Sequence, residues 1–274
     1  MANFAPKAQK TAFVTGAYSG IGKAAALAFS RAGYRVIGTS RKAEPGEVRD
    51  GIRMIACDVT SNASVTAAVA LARTELGRVD LLVNNAGYAV SGAAEESSIE
   101  QVLALLDTNF LGFVRVTNEV LPIMRHQGGG RILNVGSVME LIPGPFGAYY
   151  TASKDAIEGY SESLDHEVRR FGIWVAVIEP WATKTSIEAN SPRGDRPVVA
   201  YSQTFARYQV AFNAAMATGD TADDVAATIL AAAQARKPRL RYPSGKAARQ
   251  TSFARRFLPR ALFDRISRKQ FNIA

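Results

Sequence analysis

Tyr150 and Lys154 stand four residues apart in Tyr150-Thr-Ala-Ser-Lys154, a spacing that puts two side chains one above the other on the same helix face. A free phenol has a pKa of about 10 and is a poor acid–base group at neutral pH. An ammonium beside it favours the tyrosinate and moves that pKa toward the working range. Upstream, the apolar run Ile132-Leu133-Asn134-Val135 ends at Gly136-Ser137. A serine hydroxyl at such a strand end can hydrogen-bond the oxygen that the phenol protonates. Hydroxyl, tuned phenol and ammonium in one crevice make a proton-transfer site for a carbonyl or an alcohol. Tyr-x-x-x-Lys also arises by chance on surface helices, so the reading rests on the elements that bring the three groups together.

Those elements alternate. Residues 11–15 read as a short buried strand, and Thr15-Gly16-Ala17-Tyr18-Ser19-Gly20-Ile21-Gly22 as a Gly-rich turn. An Ala-rich helix follows over 23–31, closed by Gly33, and a second strand over 36–38. Turn glycines let backbone approach a pyrophosphate, and the helix start offers it free N–H groups. Further strands are expected at 52–55, 79–83, 132–135, 173–178 and 239–242. Helices are expected at 61–76, 98–125 (interrupted by Gly112 and Pro122), 150–170 and 221–235. This order implies an α/β fold: one doubly wound parallel sheet of about seven strands with helices on both faces. Ligands bind such sheets at the carboxyl ends of the strands. The Gly-rich turn, Asp58, Asn84-Asn85, Ser137 and Pro180 all fall there.

The whole chain, 1–274, reads as one domain with its core at about 10–242. Residues 181–205 lack a clear period and are expected to form a lid, since long loops in compact domains are usually functional. The net charge of +9 is concentrated in the C-terminal extension. From Arg236 onward there are twelve Lys or Arg and one acid, Asp264, against 21 basic and 23 acidic residues before it. A nucleic-acid binder would carry a basic stripe on the main domain, so no nucleic-acid partner is expected. In the tail, Phe253, Phe257, Leu258, Leu262, Phe263 and Ile266 recur near helical spacing. The preferred reading is a helix packed near the substrate entrance; weak contact with an anionic membrane surface is the alternative. The single cysteine, Cys57, permits no internal disulfide. Neither a signal peptide nor an apolar run long enough to span a bilayer is visible, and the expected location is cytoplasmic. His126 and His166 fall in helices, and no set of metal ligands stands out.

Two stretches bear on specificity. Ser40 and Arg41 lie 18 and 19 residues after Gly22, where an acid would accept from the ribose of NAD and an arginine would pair the 2′-phosphate of NADP. Neither residue is acidic, which points to NADP. Between Ser137 and Tyr150 lie Met139, Leu141, Ile142, Pro143 and Phe146, with Trp181 opening the lid. These predict an apolar ketone or secondary alcohol, such as a steroid-, retinoid- or fatty-chain-like compound.

Taken together these motifs resemble the short-chain dehydrogenase/reductase family over roughly residues 10–242. The turn is similar to the family's T-G-x-x-x-G-x-G cofactor motif, which implies cofactor contacts at Gly16, Tyr18, Ser19, Gly20, Ile21 and Gly22. Asp58-Val59 resembles the acidic position that contacts adenine. Asn84-Asn85-Ala86-Gly87 matches N-N-A-G, which brings in Asn85, Ala86 and Gly87 and supports the central sheet. Asn109 falls where the family has a helix asparagine whose backbone holds a water of the proton relay. Ser137, Tyr150 and Lys154 match the catalytic serine, tyrosine and lysine. The resemblance implies that Ser137 polarises the carbonyl and Tyr150 moves the proton, while Lys154 lowers the tyrosine pKa and binds the nicotinamide ribose. After strand six the family commonly has Pro-Gly, but here it is Pro180-Trp181; Pro180, Thr183 and Thr185 are expected cofactor contacts, with Thr185 at the nicotinamide amide. Tyr149 is assigned with Met139 and Trp181 to the substrate pocket. The resemblance also implies a homodimer or homotetramer through the helices near 98–125 and 150–170. A non-enzymatic protein that senses a dinucleotide and regulates a partner is the other reading of the same fold.

Overall fold

The computed structural model describes residues 9–185 and 191–271. Its first strand, β1 (Thr11–Val14), is buried along its whole length, as is common for strands covered on both faces. The chain then runs through α1 (Gly20–Arg31), β2 (Arg35–Ser40), β3 (Val48–Arg49), β4 (Ile52–Ala56), α2 (Asn62–Leu76) and β5 (Leu81–Asn84). It continues with α3 (Ile99–Leu106), α4 (Gly112–His126), β6 (Gly130–Val135), α5 (Ala148–Val168) and β7 (Ile173–Pro180). The order of the main sheet is β10-β7-β6-β5-β1-β2-β4-β3, where β10 is Arg241–Ser244. Seven strands are parallel; β3 alone runs antiparallel, against β4. The sequence reading of about seven strands therefore describes the parallel set and misses the two-residue edge strand.

Two apolar layers cover the sheet. On one face Ala24, Ala25, Ala26 and Phe29 of α1 pack with Val14, Val83 and Leu133. On the other, Val65 and Val69 of α2, Val116 and Val120 of α4 and Leu164 of α5 pack with Phe13, Leu82 and Ile132. Each large side chain buried this way contributes about 1.5–3 kcal/mol. Between the layers β5 and β6 carry a polar rung. Asn84 Nδ2 donates to Asn134 Oδ1 at 2.9 Å and to Thr117 Oγ1 at 3.0 Å, and Asn134 Nδ2 donates to Ser161 Oγ at 2.8 Å. This rung ties the central strands to α4 and α5.

The expected single helix over 98–125 is broken where Gly112 predicted. A wide π turn, Asp107–Leu111, separates α3 from α4, and such turns often mark functional positions. Gly112 has no room for a side chain, because a Cβ would lie 2.9 Å from Val59 Cγ2. Pro122 sits inside α4 without ending it.

Beyond β7 the expected lid is more ordered than its composition implies. β8 (Thr183–Lys184) pairs in parallel with β9 (Asp220–Thr221), pinning the two ends of the segment together. Between them α6 (Ser202–Ala217) forms, so the lid reading of 181–205 overlaps a helix start, and residues 186–190 lie outside the described residues. Then α7 (Ala222–Gln234) leads to β10, opened by a Thr221/Asp224 capping box.

The tail folds as two helices, α8 (Gly245–Phe257) and α9 (Arg260–Gln270), separated at Pro259. Only part of its apolar set packs inward. Phe263 is buried, and Leu258 joins it against Val138, Ile142 and Trp181. Phe253, Phe257, Leu262 and Ile266 face outward, contrary to a fully packed tail.

Candidate functional site

The Gly-rich turn is held from below by the end of β5. Thr15 Oγ1 accepts from the backbone N–H groups of Asn85 (2.9 Å) and Ala86 (3.1 Å). Asn85 Nδ2 donates back to Thr15 O and Gly16 O at 3.0 and 3.2 Å. Gly16 adopts a φ of +65°, which favours glycine. At Gly22 a Cβ would fall 2.3 Å from Gly16 O and 2.4 Å from Asn85 Nδ2. Ser19 stands at the N-cap of α1 without a capping side-chain bond, so it leaves the N–H groups of the first turn for another acceptor. An uncapped helix start over a cradle that excludes any side chain fits a phosphate-bearing cofactor.

Further along the same edge, Arg41 follows β2 and is exposed. Its charge, with that of Arg115, helps hold the Asp58 carboxyl below the usual range; the larger cause is the hydrogen bond from the Thr60 N–H at 3.0 Å. Val59 is buried behind Asp58. Tyr18 carries the Arg49 guanidinium over its ring at 3.9 Å. Arg49, on the edge strand β3, has no motif around it and was not expected from sequence.

The expected trio of Ser137, Tyr150 and Lys154 comes together where β6 ends and α5 begins. Ser137 and Tyr150 both line one cavity, and Ser137 Oγ accepts from the Met139 N–H at 3.1 Å. Lys154 is buried; its Nζ donates to Val135 O at 2.8 Å and lies 5.6 Å from the centre of the Tyr150 ring. Burial pushes the Tyr150 phenol up to about 12, the nearby Ser137 hydroxyl opposing the rise and Glu140 adding to it. Burial also brings Lys154 down to about 8. The expected lowering of the tyrosine by the lysine is not among the causes acting on the phenol here, and desolvation disfavours both charged forms. Asn109 sits in the π turn. Its side chain clasps the backbone of Tyr88 in both directions, at 3.0 and 2.9 Å, and donates to Ser153 Oγ at 3.1 Å.

A cavity of about 420 Å³ opens in front of the trio. It gathers Ile21, Asn85, Gly87, Ser137, Met139, Tyr150, Lys154, Pro180, Trp181, Thr183 and Thr185 from the expected site residues. Gly16, Tyr18, Ser19, Gly20, Gly22, Arg41, Asp58, Val59 and Ala86 lie outside its lining, as does Asn109. Tyr149 is not brought to the wall: its hydroxyl donates to Ala94 O at 3.0 Å, on the far side of the helix start. The wall that sequence reasoning missed comes from α6. Phe205, Tyr208 and Phe212 face the cavity, and Phe146 meets Phe205 edge-on at 5.0 Å. Their i, i+3, i+7 spacing was the available signal. Phe271, beyond α9, closes the same wall.

Behind Ser137 lies a second unforeseen group. Carboxylate oxygens of Glu140, Glu158 and Glu179 come within 4.8 Å of one another, with Arg241 bonded to Glu158 and Glu162. Glu179 is fully buried, and neither of its oxygens has a hydrogen-bond partner among the described residues. Burial raises all three carboxyls, Glu140 to about 9 and Glu179 to about 7.

Comparison with known proteins gives a consistent picture. The family model described as short chain dehydrogenase matches residues 10–196. The chain is 37% identical over 278 residues to the uncharacterized oxidoreductase YusZ of Bacillus subtilis, covering 96% of this chain and 98% of that protein. It is 42% identical over 177 residues to a 3-ketodihydrosphingosine reductase of Bacteroides thetaiotaomicron, a match spanning 65% of each. Among solved structures, a short-chain dehydrogenase from Streptomyces avermitilis superposes with a TM-score of 0.80 at 31% identity, covering 96% of this chain and 98% of that one. A 3-ketoacyl-(acyl-carrier-protein) reductase from Brucella melitensis, solved with NADH, gives 0.72 at 26% identity, over 86% and 97% of the two chains.

Proposed function

The chain belongs to the short-chain dehydrogenase/reductase family, and on that premise we propose that it moves a hydride between NADP(H) and an apolar ketone or secondary alcohol. The observation that carries this reading is the meeting of Ser137, Tyr150 and Lys154 on the lining of one largely apolar cavity, with Lys154 one helical turn on from Tyr150. Gly16, Gly20, Ile21 and Gly22, Asn85, Ala86 and Gly87, and Thr183 and Thr185 would hold the nucleotide, which supplies the hydride when bound. Ser137 orients the substrate oxygen. Tyr150, with its phenol pushed to about 12, is protonated at neutral pH and so delivers a proton to that oxygen in reduction. Lys154 places its ammonium at the same crevice, fixed by Val135 O. Arg41 directly follows β2, where neither it nor Ser40 is acidic, and its guanidinium favours a 2′-phosphate.

The substrate class follows from the wall. Met139, Ile142, Phe146, Trp181, Phe205 and Tyr208 make the wall largely apolar, with Arg193, Gln209 and Asn213 among its polar members, and a relative named 3-ketodihydrosphingosine reductase is in keeping with a lipid-like ketone. Exposed Ile99 and Leu103 on α3 support assembly as a homodimer or homotetramer through α3, α4 and α5. The test is turnover of cofactor absorbance with NADPH and NADP⁺ against a panel of ketones and alcohols. Lipophilic ketones should give the highest kcat/KM; a higher value for small polar sugars refutes the reading.

A further inference from the structure

We infer that the outer face of α8 and α9 is a docking surface for an anionic lipid bilayer. The delivery of substrate from that bilayer rests on the proposed lipophilic ketone; the docking itself does not. Each helix of the pair has two faces. Inward, Ala248, Leu258 and Phe263 pack on Val138, Ile142 and Trp181, and Gln270 and Phe271 end on the cavity wall. Outward, α8 presents Lys246, Arg249, Phe253, Arg256 and Phe257, and α9 presents Leu262, Arg265, Ile266 and Lys269. Both sets follow i, i+3, i+4, i+7 spacing, so each is a stripe along one side of its helix.

Phe253 and Phe257 are 66% and 63% exposed, with ring centres 4.6 Å apart. Two adjacent phenyl rings held in water beside cations are costly in solution and favourable at a headgroup boundary, where apolar side chains insert and arginines reach phosphates. Charge selects the partner. α8 and α9 carry eight Lys or Arg and one acid, and that acid, Asp264, is paired with Arg268 at 2.9 Å. A second copy of this face would meet like charge with like charge, which opposes self-association through it. Nucleic acid would use the cations and leave the four apolar side chains in water. An anionic bilayer uses both. With Phe271 seated on the cavity wall, the same helices would set the cavity beside the lipid that holds its substrate.

The experiment is sedimentation of the full chain with vesicles of phosphatidylcholine alone and of equal parts phosphatidylcholine and phosphatidylglycerol. Binding should be at least about tenfold stronger to the anionic vesicles and should weaken in high salt. Phe253→Ser with Phe257→Ser should lower it at least about fivefold, as should Leu262→Ser with Ile266→Ser on the other helix. Neither pair lines the cavity, so reduction of a water-soluble ketone should stay at the wild-type rate and confirm folding. Equal binding to both vesicle types, no binding to either, or full binding by both folded variants overturns the inference. So does a change of oligomeric state in the variants, which would assign the face to a second copy, or tighter binding to duplex DNA than to vesicles. Loss of ketone reduction with vesicle binding intact would instead strike the proposed function and leave the docking surface standing.

Discussion

The backbone N–H of Ser137 donates to Glu140 Oε1 at 2.6 Å, so the proposed substrate-orienting serine is held by a carboxyl that is itself largely desolvated. Glu158, Glu179 and Lys154 face that carboxyl from α5 and β7, and Arg241 on β10 balances Glu158 and Glu179. Burial raises Glu140 from an ordinary 4.5 to about 9. The folded chain therefore keeps a proton across that window which the unfolded chain releases. Stability from this group is present at low pH and is lost as pH climbs toward the folded pKa. Glu140→Gln keeps the acceptor for Ser137 and does not titrate. Its melting temperature minus that of the wild type should grow more positive as pH rises from about 5 to about 9. A difference that stays flat across the range contradicts the protonated, buried carboxyl.

Tyr150→Phe removes the proposed proton donor and should lower turnover by about 10²–10⁴-fold while nucleotide binding, read by fluorescence titration, is retained. Tyr149→Phe loses only a bond to Ala94 O at the surface of α5 and should keep nearly full rate. A dead Tyr149 variant beside an active Tyr150 variant would reverse the assignment.

Arg41→Ala should weaken NADPH binding by about 1.5–3 kcal/mol, the scale of a charged hydrogen bond, and leave NADH nearly unchanged. Calorimetric titration of both nucleotides against wild type and variant measures it. Tighter binding of NADH than NADPH by the wild type would remove the basis for NADP.

Gly22→Ala places a methyl where Gly16 O and Asn85 Nδ2 stand at 2.3 and 2.4 Å. The turn must move, at a cost of about 1–3 kcal/mol in stability. Nucleotide affinity should fall by more than tenfold, about 1.4 kcal/mol, because the cradle and the first turn of α1 shift together. Gly33→Ala is the control: a Cβ there meets nothing within 4 Å, although its φ of +84° carries a local strain. It should lower melting temperature without a comparable loss of nucleotide affinity.

Local spacing along the chain encodes the order of elements and the edge where they meet. Strand and helix order followed from apolar runs and glycine stops, so the parallel sheet and the meeting of Gly16–Gly22, Asn85, Ser137 and Pro180 at its carboxyl edge were legible before any coordinates. The four-residue step from Tyr150 to Lys154 likewise needed only helical geometry. Tertiary structure decided what depends on burial and on long-range approach. Desolvation pushes the Tyr150 phenol up to about 12 and brings Lys154 down to about 8, and desolvation is a property of everything packed around them. Glu140, Glu158 and Glu179 are separated along the chain yet share one pocket of charge, since three elements converge behind Ser137. The aromatic wall of α6 was hidden because Pro192, Gly194 and Pro197 give the stretch before it the composition of a loop. The tail's apolar residues split between a packed face and an exposed one, because helical period places side chains on a cylinder and only contact with Val138, Ile142 and Trp181 says which side turns inward.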